Sequence, residues 1–511
     1  MSDAATEPGK LSGTPLVMAT VLLGLANFMV VLDTTIANVS IPHIAGGLAV
    51  SPAQGTWAIT SYSVAEAISV PLTGWLAQRF GALRTFVACM TGFGLFSVLC
   101  GLAPSFGVLV AFRVLQGLSG GPIMPMSQTL LLGVYPRERA QQAIGFWSMT
   151  TVVAPILGPI LGGVISDTIG WRWIFFINIP VAVLVAGGAW VVLRVVPAIT
   201  RRVPVDYVGL GLLILWVGSL QVMLDKGKEL EWFSSGTIVG LAVMAALGYC
   251  AFVIWELTAE NPIVNLRIFR HRGFTAAVIT LSLAFGTFFG SVVLIPLWLQ
   301  TTMGYTASWA GYASALNGVL AVVMSPIVAR LIGRYDPRIF LTIGVLWTAV
   351  VAFWRSHFST DAGFWDIALP FLAQGFAMPF MMVSATSISL SSVLPEEVAS
   401  AAGLQNFLRT TAAAFATSML TTGWDNTAQA KRAELAGRLH DLPAATAALQ
   451  TRGLLPDQAL GQVDRLVQSQ AVMLATDQML YLTVWVLLFA AGLIWFSPRP
   501  GRRAAAGGGG H

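Results

Sequence analysis

Long apolar stretches separated by short polar segments occupy nearly the whole chain. Fourteen of them reach the length of about twenty residues that an α-helix needs to cross the core of a bilayer. Because lipid offers no hydrogen-bond partner to the backbone, the pattern predicts an all-α membrane protein. The predicted spans, numbered 1 to 14 in chain order, are 14–42, 55–77, 84–103, 106–134, 142–165, 173–196, 206–224, 236–257, 273–300, 308–332, 339–356, 364–392, 400–422 and 476–497.

The distribution of lysine and arginine orients these spans. With the N-terminus inside, the inside segments hold 17 Lys and Arg residues, whereas the short outside loops hold 4. Inside loops of membrane proteins carry this excess of positive charge. The sequence therefore predicts an N-in/C-in topology.

Composition supports a membrane protein and argues against other classes. The chain is 56% hydrophobic and 10% charged, whereas soluble domains carry about 25% charged residues. The net charge of +5 comes from basic residues scattered between apolar segments, so we expect no nucleic-acid partner. Phosphate-binding, metalloprotease and hydrolase motifs are absent from the sequence. We therefore predict a secondary active transporter and not an enzyme, with no catalytic residues, no metal and no cofactor except H⁺ as the coupling ion.

The chain repeats itself at an offset near 258 residues. The stretch from Gln116 to Glu138 is echoed from Gln374 to Glu397, and Gly81 in one inside loop is echoed by Gly333. Two parallel six-helix halves that rock about a site between them are a common transporter plan. The predicted units are an N-terminal half at 1–200, an insert of spans 7 and 8 at 201–262, a C-terminal half at 263–500 and a flexible tail at 501–511.

A polar stretch at 423–475 interrupts the short-loop pattern between spans 13 and 14 and is predicted to lie outside. Its segments Ala428–Leu439 and Pro456–Val472 have leucines near helical spacing. One interpretation is a helical hairpin that caps the outer mouth. The other is a docking surface for a partner outside the membrane, and the sequence leaves both open.

Four charged residues lie inside otherwise apolar spans: Asp33, Glu66, Arg113 and Arg409. A charge at the bilayer centre costs about 2.5–3.5 kcal/mol on insertion scales. Charges kept at that cost usually mark an ion or substrate pathway. The sequence thus predicts that these four residues function in transport.

We predict that Asp33, Glu66 and Arg113 couple transport to protons. At 1.5 Å per residue, Asp33 lies about 7 Å and Arg113 about 9 Å outward of mid-span, while Glu66 is at the midpoint of span 2. Making and breaking contact with an arginine would change the proton affinity of a buried carboxylate. The alternative is a static ion pair that fixes helix register.

The predicted substrate site comprises Glu66, Tyr62, Arg409, Asn317 and Gln374. Tyr62 lies one turn from Glu66 on the same helix face. Arg409 could bind an anionic substrate, pair with a carboxylate of the first half, or make a structural contact with Gln374. The remaining surface of such a site should be apolar and aromatic.

Two segments rich in glycine are predicted to serve in gating. The inside loop Gly74–Arg84 carries arginines that can reach helix C-termini, and Ala154–Gly163 combines bending prolines with close-packing glycines. Positive-inside charge and close packing alone are the structural alternatives. The candidate gating and hinge residues are Gly74, Arg79, Gly81, Arg84, Pro155, Gly158, Pro159, Gly162 and Gly163.

Four motifs together resemble the major facilitator superfamily. They are Leu32–Val39 in span 1, Gly74–Arg84, Arg113–Gly117 in span 4 and Ala154–Gly163, which is similar to the antiporter motif of span 5. The fourteen spans point to the drug:proton antiporter branch, in which positions matching Asp33 and Arg113 are functional. The resemblance implies efflux of hydrophobic toxic compounds in exchange for protons. The inside loop departs from the family in carrying Gln78 where an acidic residue is usual.

Nearly the whole chain is similar to the EmrB type, the inner-membrane pumps of Gram-negative tripartite multidrug exporters. The stretches that carry this similarity are Gln54–Trp57, Trp171–Asn178, Gly218–Leu230 and Asn261–Val264. The resemblance implies a multi-pass protein of the bacterial inner membrane, a role in antibiotic resistance, and a periplasmic membrane-fusion adaptor and an outer-membrane channel as partners. A stand-alone antiporter and a non-transporting sensor or scaffold remain alternatives, and the span 5 motif disfavours an importer.

Overall fold

A computed structural model describes residues 10–136, 139–195, 200, 203–332, 334–438, 442–451 and 453–498. The predicted tail at 501–511 and Gly333 of the repeat lie outside these residues. Within the described part the regular structure is helical, which confirms the predicted all-α class. The α-helices are Gly13–Val39, Ile41–Gly47, Pro52–Gly55, Trp57–Ser69, Thr73–Phe80, Ala82–Gly101, Phe106–Gly120, Ile123–Val134, Ala140–Thr168, Trp173–Phe176, Asn178–Leu193, Tyr207–Lys226, Gly236–Thr258, Arg272–Thr301, Ala307–Ile332, Pro337–Arg355, Phe364–Ser391, Val398–Arg438, Leu442–Gln450 and Pro456–Leu493.

Each predicted span coincides with one helix or with consecutive helices. Eleven helices of the described residues are long and apolar enough to cross a membrane, and a bent pair in span 5 raises the number to twelve. Span 2 falls outside this count because a 3₁₀ turn at Val70–Leu72, which contains Pro71, divides it. Span 13 is the polar-ended helix Val398–Arg438. The structure is therefore that of a multi-pass membrane protein.

Local sequence explains several helix ends. The side chain of Asp206 accepts a hydrogen bond from the backbone amide of Gly209 at the start of span 7. The side chain of Asp336 accepts a hydrogen bond from the backbone amide of Arg338 at the start of span 11, where Pro337 is the first helical residue. Both are ordinary N-terminal caps.

The two halves repeat the same helix packing. In the first half, span 1 packs against spans 4, 5 and 6, and in the second half span 9 packs against spans 12, 13 and 14. Separate apolar cores lie inside the two halves. Spans 7 and 8 pair with each other, and span 7 also contacts spans 2 and 13. The insert therefore touches both halves.

The halves meet at the end that the charge pattern places inside. A Cβ on Gly145 of span 5 would lie 2.8 Å from the Cβ of Ala329 in span 10, so the two backbones approach closely. Around them an apolar cluster joins spans 5, 10 and 12 through Ile144, Val328 and Phe380. This end of the bundle is closed.

Spans 13 and 14 continue beyond membrane length as a helical hairpin. Val398–Arg438 and Pro456–Leu493 run unbroken out of the bundle, and Leu442–Gln450 joins them. Arg432 and Asp464 form an ion pair of 2.7 Å across the hairpin. The predicted helicity of 423–475 is therefore present, and the hairpin grows directly from the two spans.

Glycines of the span 5 motif bring this helix against span 1. A Cβ on Gly158 would lie 2.6 Å from the Cβ of Thr35, and one on Gly162 would lie 2.8 Å from the carbonyl oxygen of Ile36. Gly163 faces away, with no atom within 4 Å of a built Cβ. One face of the motif thus packs closely against span 1, whereas the face that carries Gly163 has room for a side chain.

We expect Gly158→Ala to destabilise the protein by about 1–3 kcal/mol, the usual cost of overpacking a tight contact. Gly163→Ala in the same motif is the control and should unfold like the unmodified protein. Thermal unfolding of the purified protein in detergent measures both. Equal melting temperatures for the two variants would contradict the assigned contact.

Candidate functional site

A buried ion pair joins spans 1 and 4. Asp33 and Arg113 lie 2.7 Å apart, and their side chains are 1% and 0% exposed. The guanidinium also donates through Nε to the carbonyl oxygen of Ala58 in span 2, at 2.8 Å. Additional hydrogen bonds of this kind help to offset the cost of burying two charges. Nη2 of Arg113 has no hydrogen-bond partner among the described residues. The structure thus brings together two of the predicted coupling residues.

Two amides complete the shell around Asp33. Oδ1 of Asp33 accepts hydrogen bonds from Gln116 at 3.2 Å and from Asn178 at 2.6 Å. Gln116 also accepts from Arg113 at 2.8 Å, so carboxylate, guanidinium and amide form one network. Sequence reasoning assigned no role to either amide. The sequence did contain a signal for both amides, because each lies in a stretch that carries the family resemblance.

Tyr62 belongs to this network and not to an open surface. Its ring is fully buried, and the guanidinium carbon of Arg113 lies 4.2 Å from the ring centroid. A cation over an aromatic face is stabilised by the ring quadrupole. Of the residues predicted for substrate binding, Tyr62 thus lies with the ion pair.

Glu66 and Arg409 lie on either side of the contact between the halves. Glu66 is partly exposed and is within Coulombic range of Asp33, Arg113 and Arg409. It forms no direct ion pair with a described residue. The side chain of Arg409 is buried, with Nη2 at 2.8 Å from the sulfur of Met124 and its charge 5.0 Å from the ring centroid of Phe285. Arg409 therefore lies at the contact with the first half, among soft apolar groups.

Gln374 and Asn317 lie apart from Arg409. Gln374 donates to the hydroxyl of Thr348 at 3.3 Å within the second half. Asn317 is buried where its backbone touches Gly375. No hydrogen bond joins either of them to Arg409 among the described residues, so the proposed contact between Arg409 and Gln374 is absent from this conformation.

The predicted inside loop contacts both the linker before span 7 and the second half. Nη1 of Arg79 donates to the carbonyl oxygen of Val203 at 2.5 Å, and Trp75 donates to that of Pro204 at 3.1 Å. A Cβ on Gly74 would lie 2.7 Å from the Cα of Ser400 in span 13. Closure here uses backbone carbonyls and close packing.

The other predicted gating residues take simpler positions. Gly81 has φ +88° and links spans 2 and 3 in a conformation that favours glycine. Arg84 is exposed, and Pro155 is partly buried. The side chain of Pro159 lies outside the described residues.

One further contact between the halves was not predicted from the sequence. The buried amide of Asn406 in span 13 donates to the side-chain oxygen of Gln128 in span 4, at 3.3 Å. Neither residue carries a charge, so no signal set them apart from other polar residues in spans. This hydrogen bond joins the two halves directly.

The chain belongs to the Major Facilitator Superfamily, whose family profile matches residues 23–417. This confirms the resemblance drawn from the four motifs, and it makes the protein a membrane transporter and not an enzyme.

Curated relatives match over nearly the full chain. The multidrug export protein EmrB of Escherichia coli strain K12 is 43% identical over 506 residues, covering 98% of this chain and 99% of that protein. EmrB of Haemophilus influenzae is 43% identical over 505 residues with the same coverage. The fatty acid resistance protein FarB of Neisseria gonorrhoeae is 41% identical over 505 residues, again covering 98% and 99%. The similarity to the EmrB type is confirmed.

Solved structures show the same fold at low identity. The proton:xylose symporter XylE, bound to a bromodeoxyglucose, has a TM-score of 0.57 at 14% identity, with 95% of this chain and 96% of that chain covered. The human organic anion transporter MFSD10 has a TM-score of 0.57 at 12% identity, with 93% and 100% covered. These likenesses establish the architecture only.

We expect Gly74→Val to push the closed ends of the halves apart, because the new side chain would overlap Ser400. Spin labels at the exposed positions Phe80 and Leu394 should report a longer distance by pulsed electron resonance. Gly107→Val is the control, since a Cβ there meets no atom within 4 Å. An unchanged distance in Gly74→Val would argue against this contact as a closure point.

Proposed function

We propose that this protein is a multidrug exporter driven by the proton-motive force, with fourteen spans, N-in/C-in, in the bacterial inner membrane. The names of the relatives at 41–43% identity support efflux of toxic compounds. The single observation that carries proton coupling is the buried pair of Asp33 and Arg113.

Coupling follows from the charge balance at this pair. Arg113 is compensated by the carboxylate of Asp33, and the amides of Gln116 and Asn178 hold that carboxylate in place. When a proton neutralises Asp33, the electrostatic attraction that draws spans 1 and 4 together weakens. The conformation in which the pair is broken then costs less free energy. Proton binding therefore shifts the equilibrium between the conformations of the two halves.

The driving force is sufficient for concentrative export. One elementary charge that crosses 100 mV releases about 2.3 kcal/mol, which is roughly a fifty-fold gradient of a neutral substrate. In the structure the inside end is closed, as expected for the state that exchanges protons and drug with the outside. A proton taken up there would then travel inward as the halves rock.

The substrate in this proposal binds between the halves, near Glu66 and Arg409. Met124, Met382 and Phe285 surround the guanidinium, at distances of 2.8, 4.0 and 5.0 Å. Methionine and aromatic side chains adapt to apolar ligands of different shapes. Together with one charge of each sign, this surface suits hydrophobic or amphiphilic compounds of either charge, with Tyr62, Asn317 and Gln374 on the surrounding helices.

We expect Asp33→Asn to abolish drug-driven proton flux in reconstituted vesicles and resistance in cells. Removing one partner of a buried ion pair also costs about 3–5 kcal/mol, so the melting temperature should fall. Adding Arg113→Gln to Asp33→Asn should restore thermal stability but not transport. Asp167→Asn is the control, because that carboxylate is 67% exposed at the outer end of span 5.

This design separates coupling from a merely structural pair. If the double variant recovered both transport and stability, the pair would have only a structural role. Normal proton flux in Asp33→Asn would remove Asp33 from the coupling mechanism.

The helical hairpin is the proposed docking surface for a periplasmic membrane-fusion adaptor, which would lead substrate to an outer-membrane channel. Leu460 and Leu466 on its second helix are 50% and 53% exposed. A partner that packs on this helix could bury these exposed leucines.

We expect Leu460→Gln combined with Leu466→Gln to reduce co-purification of the adaptor by about ten-fold or more, given about 1.5–3 kcal/mol for each buried leucine. Drug-driven proton flux without the adaptor should stay unchanged. Arg465→Gln, an exposed neighbour on the same helix, is the control. Full adaptor binding by the double variant would favour a hairpin that only caps the mouth and a stand-alone antiporter.

A further inference from the structure

The second half contains a buried arginine with no counter-charge. Arg355, the last residue of the helix Pro337–Arg355 in span 11, is 3% exposed. Its Nη2 donates to the carbonyl oxygen of Pro370 at 3.2 Å, and its charge lies 4.5 Å from the ring centroid of Phe371. Its Nε has no hydrogen-bond partner, and no described carboxylate lies within ion-pair distance. A buried charge left in this way costs several kcal/mol.

This arginine lines a small cavity among spans 9, 11, 12 and 14. The cavity has room for about one water-sized sphere. Its polar walls are hydroxyls, one amide and the guanidinium. The residues that supply them are Thr287, Ser291, Thr348, Arg355, Gln374 and Thr483.

The groups around the cavity can all donate hydrogen bonds. The hydroxyls of Thr287, Ser291, Thr348 and Thr483 point to carbonyl oxygens of their own helices, which already accept backbone bonds. A hydroxyl can rotate away from such a position without leaving a carbonyl unsatisfied. The walls therefore offer several donors beside one positive charge, and no described acidic residue lines them.

The repeat shows what this site lacks. Ser291 follows Asp33 by 258 residues, and Gln374 follows Gln116 by the same interval. In the first half, Gln116 donates to the carboxylate of Asp33 beside a buried arginine. In the second half the glutamine is again present and a serine stands where the carboxylate was. The buried arginine there is Arg355 of span 11, while Phe371 takes the repeat position of Arg113.

We propose that this cavity binds one small monovalent inorganic anion of the chloride class. The anion would neutralise Arg355 and accept hydrogen bonds from the surrounding hydroxyls and Gln374, as Asp33 does for Arg113. The size of the cavity excludes a drug or a fatty acid. Anion binding would hold four spans of the second half together, and it can be measured without transport.

The test compares purified protein in sodium chloride and in sodium gluconate at equal ionic strength, since gluconate is too large for the cavity. Chloride should raise the melting temperature saturably, and chloride line broadening in NMR should report the same site directly. Arg355→Gln should weaken the apparent chloride affinity by about ten-fold or more, because a charge-assisted hydrogen bond contributes about 1.5–3 kcal/mol. Arg465→Gln removes an exposed charge and should leave the affinity unchanged.

A second variant tests the argument from the repeat. Ser291→Asp places a carboxylate beside Arg355, so the protein should lose its response to chloride and be as stable in gluconate as the unmodified protein is in chloride. If Ser291→Asp or Arg355→Gln does not fold, Ser291→Ala removes one ligand alone and should weaken the affinity measurably.

Three results would overturn the proposal. The first is an equal melting temperature of the unmodified protein in chloride and in gluconate, which would mean that the cavity holds only a water. The second is a chloride response in Ser291→Asp as large as in the unmodified protein. The third is an equal loss of affinity in Arg355→Gln and Arg465→Gln.

Discussion

The pair of Asp33 and Arg113 is the interaction on which the first half depends. A carboxylate and a guanidinium at 2.7 Å, both out of contact with solvent, are tolerable only while each compensates the other. Their partners come from spans 1, 2, 4 and 6, so the pair fixes how these helices lie together. Any event that changes the charge of Asp33 must therefore be felt by four helices at once.

The two halves share the same helix packing but differ in the groups that surround a buried arginine. Spans 1 and 9 contact corresponding neighbours in their own halves. The first half carries its own negative charge beside its arginine, whereas the second keeps Arg355 among hydroxyls and an amide. In the proposed mechanism, this asymmetry would let the first half respond to protons while the second half keeps a fixed charge.

Contact between the halves rests on small and soft groups. Gly74 and Gly145 allow close backbone approach, while Asn406 and Gln128 share one hydrogen bond. Near Arg409, methionine and aromatic side chains replace fixed polar partners. An interface of this kind has few interactions that must be broken before the halves can separate, and this suits repeated opening.

The sequence by itself determined the helical class, the helices at the predicted apolar stretches, the charged residues within them and the family, because hydropathy and motif spacing are local properties of the chain. The tertiary structure alone decided the partners of those charges. Asn178 reaches Asp33 across 145 residues of sequence, and Tyr62 turns its ring to Arg113 and not to an open surface. Likewise, no pattern in the sequence set Arg355 apart at the end of span 11, and the structure shows that it is buried. Contacts of this kind depend on how distant helices pack, which no local pattern records.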